Sequence, residues 1–145
     1  MTLLAPPPLA QPGRLHRLAT PLAAGAVAAL GTLALHARDP HAAGSWGYCP
    51  TALLGVSCPL CGSLRAVNDL THGDVVAAAS SNLLFVVAVP IAVVLWLLWV
   101  RRSWTGTASR HLDRRTTKLL WATTLAVTLV FTVLRNTPWG SWLHS

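Results

Sequence analysis

The run from Leu83 to Val100, LLFVVAVPIAVVLWLLWV, contains no charged residue. A helix needs about 20 apolar residues to cross the hydrocarbon core of a bilayer, and this run has that length. In water such a run could be a buried strand, but its length and the Arg101-Arg102 pair that follows favour a span. Pro90 lies near the middle of the run. It is expected to kink the helix rather than end it, because neighbouring helices in a membrane satisfy the carbonyl that proline frees.

Composition agrees with a membrane solvent. Hydrophobic residues make up 53% of the chain and charged residues 10%, against roughly 25% charged in soluble domains. So few charges cannot give a soluble globule a hydrated surface, and disorder requires low hydrophobicity. Two further runs read as spans. Pro21 to about Ala37 is alanine-rich, with Thr20 as N-cap and Pro21 at the first helical position. Leu119 to Leu134 ends at Arg135, and its threonines (Thr123, Thr124, Thr128, Thr132) can bond carbonyls of their own helix or of a neighbour. The predicted fold class is all-α: an integral membrane protein with about three transmembrane helices and a short amphipathic helix in a cysteine-containing external segment. A proline-rich tail over residues 1–18 is expected to be disordered and cytoplasmic. It precedes a single membrane domain over 19–143, with spans near 20–37, 83–101 and 119–135.

Eight of the eleven Lys and Arg residues fall before the first run or between the second and third: Arg14, Arg17, Arg101, Arg102, Arg110, Arg114, Arg115 and Lys118. Three of the four acids (Asp39, Asp69, Asp74) lie between the first and second. Basic loops stay cytoplasmic during insertion, so the N-terminus and the loop 102–118 are expected inside, the segment 38–82 and the C-terminus outside. Trp96, Trp99, Trp104 and Trp121 surround the basic loop and Trp46, Trp139 and Trp142 lie toward the other face, the headgroup levels that indole rings prefer. One competing reading makes the first run a cleaved signal peptide with Arg14 and Arg17 ahead of it; a site after Ala37 would then put Leu35, rather than a small residue, at position −3. The net charge of +7 does not indicate nucleic acid, because the basic cluster lacks aromatic or helix-turn-helix context.

The chemistry is concentrated in the external segment, YCPTALLGVSCPLCGSLRAVNDLTHGDVVAAASSN, which holds all three cysteines, Cys49, Cys58 and Cys61. Two local geometries compete. In one, CPLCG is a zinc-knuckle-like turn closed by glycine; a metal would then draw on Cys49, Cys58, Cys61 and His72, His41 or water. In the other, Pro59 starts a helix with Cys58 as its N-cap, Leu60, Leu64 and Val67 forming an apolar face and Cys61, Arg65, Asn68 and His72 forming a second stripe. A thiol at a helix N-terminus has its thiolate stabilised by free amide groups. Gly73 ends this helix and Asp74 caps the next. Cys49 is expected within disulfide or shared-ligand reach of the turn. Arg65 is expected to pair with Asp69 at i+4. Arg135 is expected to meet either lipid phosphate or, pinning the cysteine segment, Asp69, Asp74 or the carbonyls of residues 70–72.

The order CP, an LLG-containing linker, CPLCGSLRA, HGD, an asparagine (Asn82) opening a span, and RNTPW after the last span (Arg135, Asn136) resembles the uncharacterised bacterial membrane family catalogued as domain of unknown function 2752. The resemblance covers about residues 45 to 140 and departs from the common pattern at Ser63-Leu64, where the family more often has a threonine before the arginine. It implies a small multi-span protein of the bacterial inner membrane in which the cysteine/arginine segment matters, and it supplies no activity.

Arg65, Asn68, Asp69, His72, Gly73, Asp74, Asn82, Arg135 and Asn136 are accordingly the structural or binding candidates, and Cys58, Cys61 and Cys49 the redox candidates. No nucleotide loop, paired carboxylate or mid-span charge is present in the sequence. The expected role is therefore structural or accessory, with partner binding through the external segment and no cofactor. The alternative is thiol-disulfide chemistry with Cys58 attacking, Cys61 resolving and Cys49 shuttling; a zinc or other metal site stands third. Expected partners are the lipid bilayer and a membrane-protein partner or a second copy of the chain, with no nucleic acid.

Overall fold

A computed structural model describes residues 13–42, 57–107 and 112–138. Four helices run in the order α1 (Arg14–Ala37), α2 (Ser63–Thr71), α3 (Val75–Thr105) and α4 (Arg114–Arg135), and among the described residues there is no strand. α1, α3 and α4 are each long and apolar enough to cross a membrane. Most of their leucines and valines are exposed, as Leu97, Val94 and Val130 show. A bilayer, not a protein core, is the medium such surfaces require.

The helix ends differ from expectation where polar residues extend them. α1 starts at Arg14, with Gly13 as N-cap, so Pro21 is inside the helix rather than at its first position. Arg14, His16 and Arg17 add a polar turn below the apolar run, and Arg17 Nε donates to the Ser103 carbonyl (3.2 Å), tying that turn to α3. Higher up, Trp96 donates its indole N–H to the Pro21 carbonyl (2.9 Å) and packs against Gly25, where a Cβ would stand 2.6 Å from the indole. Glycine is what lets α1 and α3 approach there.

α3 has 31 residues, about 46 Å at 1.5 Å per residue, well over the roughly 30 Å hydrocarbon core. Its backbone leaves helical dihedrals at Asn82, so a short polar-flanked turn (75–81) precedes the apolar stretch (83–105). The bend expected at Pro90 thus falls eight residues earlier, and helical dihedrals persist through the proline. Asp74 caps the start of α3, its carboxylate accepting from the Ala77 amide (2.8 Å), and Gly73 ends the preceding turn with φ of +81°. Gly106 closes the far end at φ +71°.

α2 lies across the ends of α1 and α3. Ala66 and Ala78 are fully buried and bring α2 onto α3 at close range. Asn68 donates to the Leu35 carbonyl at the end of α1 (2.7 Å). The Thr71 hydroxyl donates to the Asn68 carbonyl and therefore accepts from His36 Nδ1 (3.0 Å), whose ring stacks on His72 with centroids 4.4 Å apart. The core at this end is polar: Asn68, Asp69, Ser81, Asn82 and Arg135 are all buried.

Candidate functional site

The CPLC segment is a turn, not the first turn of a helix. Cys61 N–H donates to the Cys58 carbonyl (3.1 Å) and Ser63 N–H to the Leu60 carbonyl (3.1 Å), while Gly62 adopts φ +80° and stands as N-cap of α2. That left-handed residue breaks the helix expected from Pro59, since only the stretch after it can propagate. Cys58 is therefore not an N-cap, and the stripe of Cys61 with Arg65, Asn68 and His72 is not continuous. Leu60 leaves the apolar face and is 74% exposed at the tip of the turn. The Cys58 and Cys61 sulfurs lie 2.8 Å apart and both residues are half-buried.

Three side chains from two spans hold the backbone of this turn. Asn82, 1% exposed, donates through Nδ2 to the carbonyls of Pro59 (2.8 Å) and Cys61 (3.1 Å) and to the Ser63 hydroxyl (3.1 Å). Its Oδ1 accepts from the Phe85 amide (2.9 Å), which makes Asn82 the N-cap of the apolar part of α3 as well. Arg135, at the end of α4, donates Nη1 to the Cys61 carbonyl (2.6 Å) and Nη2 to the Ser81 carbonyl (3.1 Å), with its guanidinium 5.9 Å from the Phe131 ring centre. Asn136 pairs with the backbone of Ser57 in both directions, accepting from its N–H (2.9 Å) and donating to its carbonyl (2.8 Å).

Arg135 thus pins the cysteine segment, but through carbonyls of Cys61 and Ser81 rather than Asp69, Asp74 or residues 70–72. A carbonyl at the break before Asn82 lacks its helical partner, and a guanidinium fork can bridge two such oxygens where a single acid would not. Asp69 is also placed differently. Its carboxylate accepts from the Ser81 hydroxyl (3.0 Å) and lies 3.4 Å from His41 Nε2, not against Arg65. His41 also donates its amide and Nδ1 to Asp39 (both 2.8 Å), and these bonds hold the Asp39 carboxyl below its usual range. His72 caps α2 and bonds the Asn68 carbonyl through Nδ1 (2.9 Å). Among the described residues, no three His, Cys, Asp or Glu side chains come together as metal ligands. Cys49 lies outside the described residues, and so does its expected proximity to the turn.

Ser57, Ser81 and Gly62 were not legible as site residues. The polar triplet Ser80-Ser81-Asn82 ahead of the uncharged run was the available signal, because polar residues at a span entrance need partners. Gly62 carries a testable consequence. A Cβ there would collide with the Ser81 carbonyl oxygen and lie 3.4 Å from Arg135 Nη2 at a φ unfavourable to L-residues. Gly62→Ala is expected to destabilise the fold by about 2 kcal/mol and to speed maleimide labelling of the cysteines, measured with thermal unfolding in detergent. Gly73→Ala, with nothing within 4 Å of its Cβ, should cost only the backbone strain.

Three apolar helices capped at one end by a buried polar cluster and a cysteine turn define a helical, multi-pass membrane protein. Residues 49–96 match the family described as "Protein of unknown function (DUF2752)", the family whose motifs the sequence resembles, and the match contains the turn, α2 and the Asn82 cap. No curated protein and no solved structure matches the chain.

Proposed function

We propose that the chain is a protein of the bacterial inner membrane, with its N-terminus and basic loop inside and the cysteine turn outside, and that this turn is a thiol–disulfide site serving a partner. The charge asymmetry between the two sets of loops supports the orientation. The observation that carries the redox reading over a purely accessory one is the 2.8 Å separation of the Cys58 and Cys61 sulfurs, on a backbone gripped by Asn82, Arg135 and Asn136. These side chains grip the carbonyls of Pro59, Cys61 and Ser57 and the Ser57 amide, so the backbone stays in place while the thiols join and part. In the forward direction a Cys58 thiolate attacks a partner disulfide, breaking its S–S bond and releasing one partner thiolate, which takes a proton. Cys61 then attacks Cys58 Sγ, closing the Cys58–Cys61 bond and releasing the second partner thiol. Two electrons and two protons pass to the partner, and the reverse reaction oxidises a partner dithiol.

The test uses spheroplasts, glutathione disulfide and a membrane-impermeant maleimide. Wild-type Cys58 and Cys61 are expected to label when reduced, to lose both labels on oxidation and to recover them with dithiothreitol. Cys61→Ser is expected to accumulate a reducible glutathione adduct on Cys58. Thiols that ignore the oxidant, or a disulfide that resists reduction until the protein unfolds, would reject the redox reading. An accessory role then rests on Leu60, exposed at the tip of the braced turn as a partner contact.

A further inference from the structure

At the opposite end of the spans a cleft of about 530 Å³ opens between the first turns of α1 and the last turns of α3. Its lining changes character along α3: Leu95, Leu98 and Trp99 come first, Arg102 follows beside Arg17 of α1, and Gly106 lies at the rim. From Leu95 to Gly106 is about 16 Å of helix, so one cleft runs from the hydrocarbon to the headgroup level. Arg17 spends Nε on the Ser103 carbonyl, and its guanidinium lies face-on to Gly106, where a Cβ would be 3.2 Å from Cζ and from both terminal nitrogens. Among the described residues those terminal nitrogens donate to no protein acceptor, and neither does the exposed Arg102 side chain. Asp39, Asp69 and Asp74 belong to the far end of the spans, and Asp113 is engaged in capping α4 through the Arg115 amide.

We propose that this cleft binds the phosphate of an anionic phospholipid between Arg17 and Arg102, with an acyl chain lying along Leu95, Leu98 and Trp99. Capping the carbonyls of α3 is the simpler use of Arg17, and it needs one N–H. It gives no reason for a second arginine, a left-handed glycine that admits the guanidinium, and an apolar wall continuous with both. The two arginines also outweigh the partial negative charge at the end of α3. A free phosphate would use the guanidinium groups and leave the apolar wall empty, so the wall selects a lipid.

Native mass spectrometry of the full chain in non-ionic detergent, titrated with dioleoyl phosphatidylglycerol, tests the site. One lipid per chain is expected to bind, more tightly than dioleoyl phosphatidylcholine, and millimolar inorganic phosphate is not expected to displace it. Arg102→Gln should weaken binding about tenfold, the loss of one charge-assisted contact, while Arg115→Gln, outside the cleft, should bind as wild type does. Arg102 is the informative position because Arg17→Gln also removes the tie to Ser103 and endangers the fold. Unchanged affinity in Arg102→Gln, an equal loss in Arg115→Gln, equal binding of phosphatidylcholine, or displacement by inorganic phosphate would each overturn the proposal.

Discussion

Replacing Arg135 by leucine is expected to free the cysteine turn from α4 and to lower stability by about 3–5 kcal/mol, the loss of two hydrogen bonds from a charged donor at roughly 1.5–3 kcal/mol each. Arg135 is 3% exposed, and its guanidinium donates to the carbonyls of Cys61 and Ser81. Leucine leaves the buried Ser81 oxygen without that donor, an orphaned acceptor costing about 1–3 kcal/mol, and strips the shorter of two side-chain bonds from the Cys61 oxygen, which keeps Asn82. The effect is also topological. Among the described residues, α4 is tied to the cap chiefly through Arg135 and the Asn136–Ser57 pair, so the loss of one halves the connection. Arg135→Lys should recover only part of the loss, because a single ammonium cannot span two carbonyls in the planar geometry of the fork. Thermal unfolding in detergent, together with maleimide labelling rates at Cys58 and Cys61, measures both consequences. Wild-type labelling rates in Arg135→Leu at equal expression would show that α4 does not hold the turn.

Asn82→Asp should be nearly as damaging, by about 3–4 kcal/mol, although the side chain keeps its shape. The carboxylate can still accept from the Phe85 amide and cap the apolar helix, a role worth about 1 kcal/mol. It can no longer donate to the Pro59 and Cys61 carbonyls or to the Ser63 hydroxyl. An ionised oxygen at this buried position would then face two half-buried carbonyls, where desolvation and repulsion act together. Asn82→Ala loses the cap and the donors but brings no charge, so it should fall between wild type and Asn82→Asp. The order of unfolding temperatures across the three proteins is the measurement. Asn82→Asp matching wild type would mean that the cap alone matters and the turn is held elsewhere.

The sequence alone determined the medium and the elements. An uncharged run as long as Leu83–Val100 can shed its backbone polarity only by closing on itself as a helix, and arginine-flanked apolar runs on either side repeat that solution. Gly73 and Asp74 were legible for the same local reason, since a left-handed residue and a side-chain cap act within a few positions of themselves. Asn82 could be named as the opening of a span, but its partners could not. Its bonds reach back 19 to 23 residues, to atoms that the chain brings near only once α2 has folded across α3.

Tertiary structure alone decided the cysteine turn. Pro59 after Cys58 is a sound helix start taken by itself, and it lost because Gly62 adopts φ +80° against the Ser81 carbonyl, in a position that no other residue could occupy so closely. Arg135 was recognisable as a residue in need of a partner. With no acid nearby in sequence, the partners it suggested were lipid phosphate, Asp69, Asp74 or the carbonyls of residues 70–72, yet the fold offered carbonyls 74 and 54 positions away. Local rules locate helices, caps and spans because their energies are settled among neighbours. Which buried oxygen a guanidinium reaches depends on how three helices meet, and that is fixed only when the backbone groups left open at one break find donors on another span.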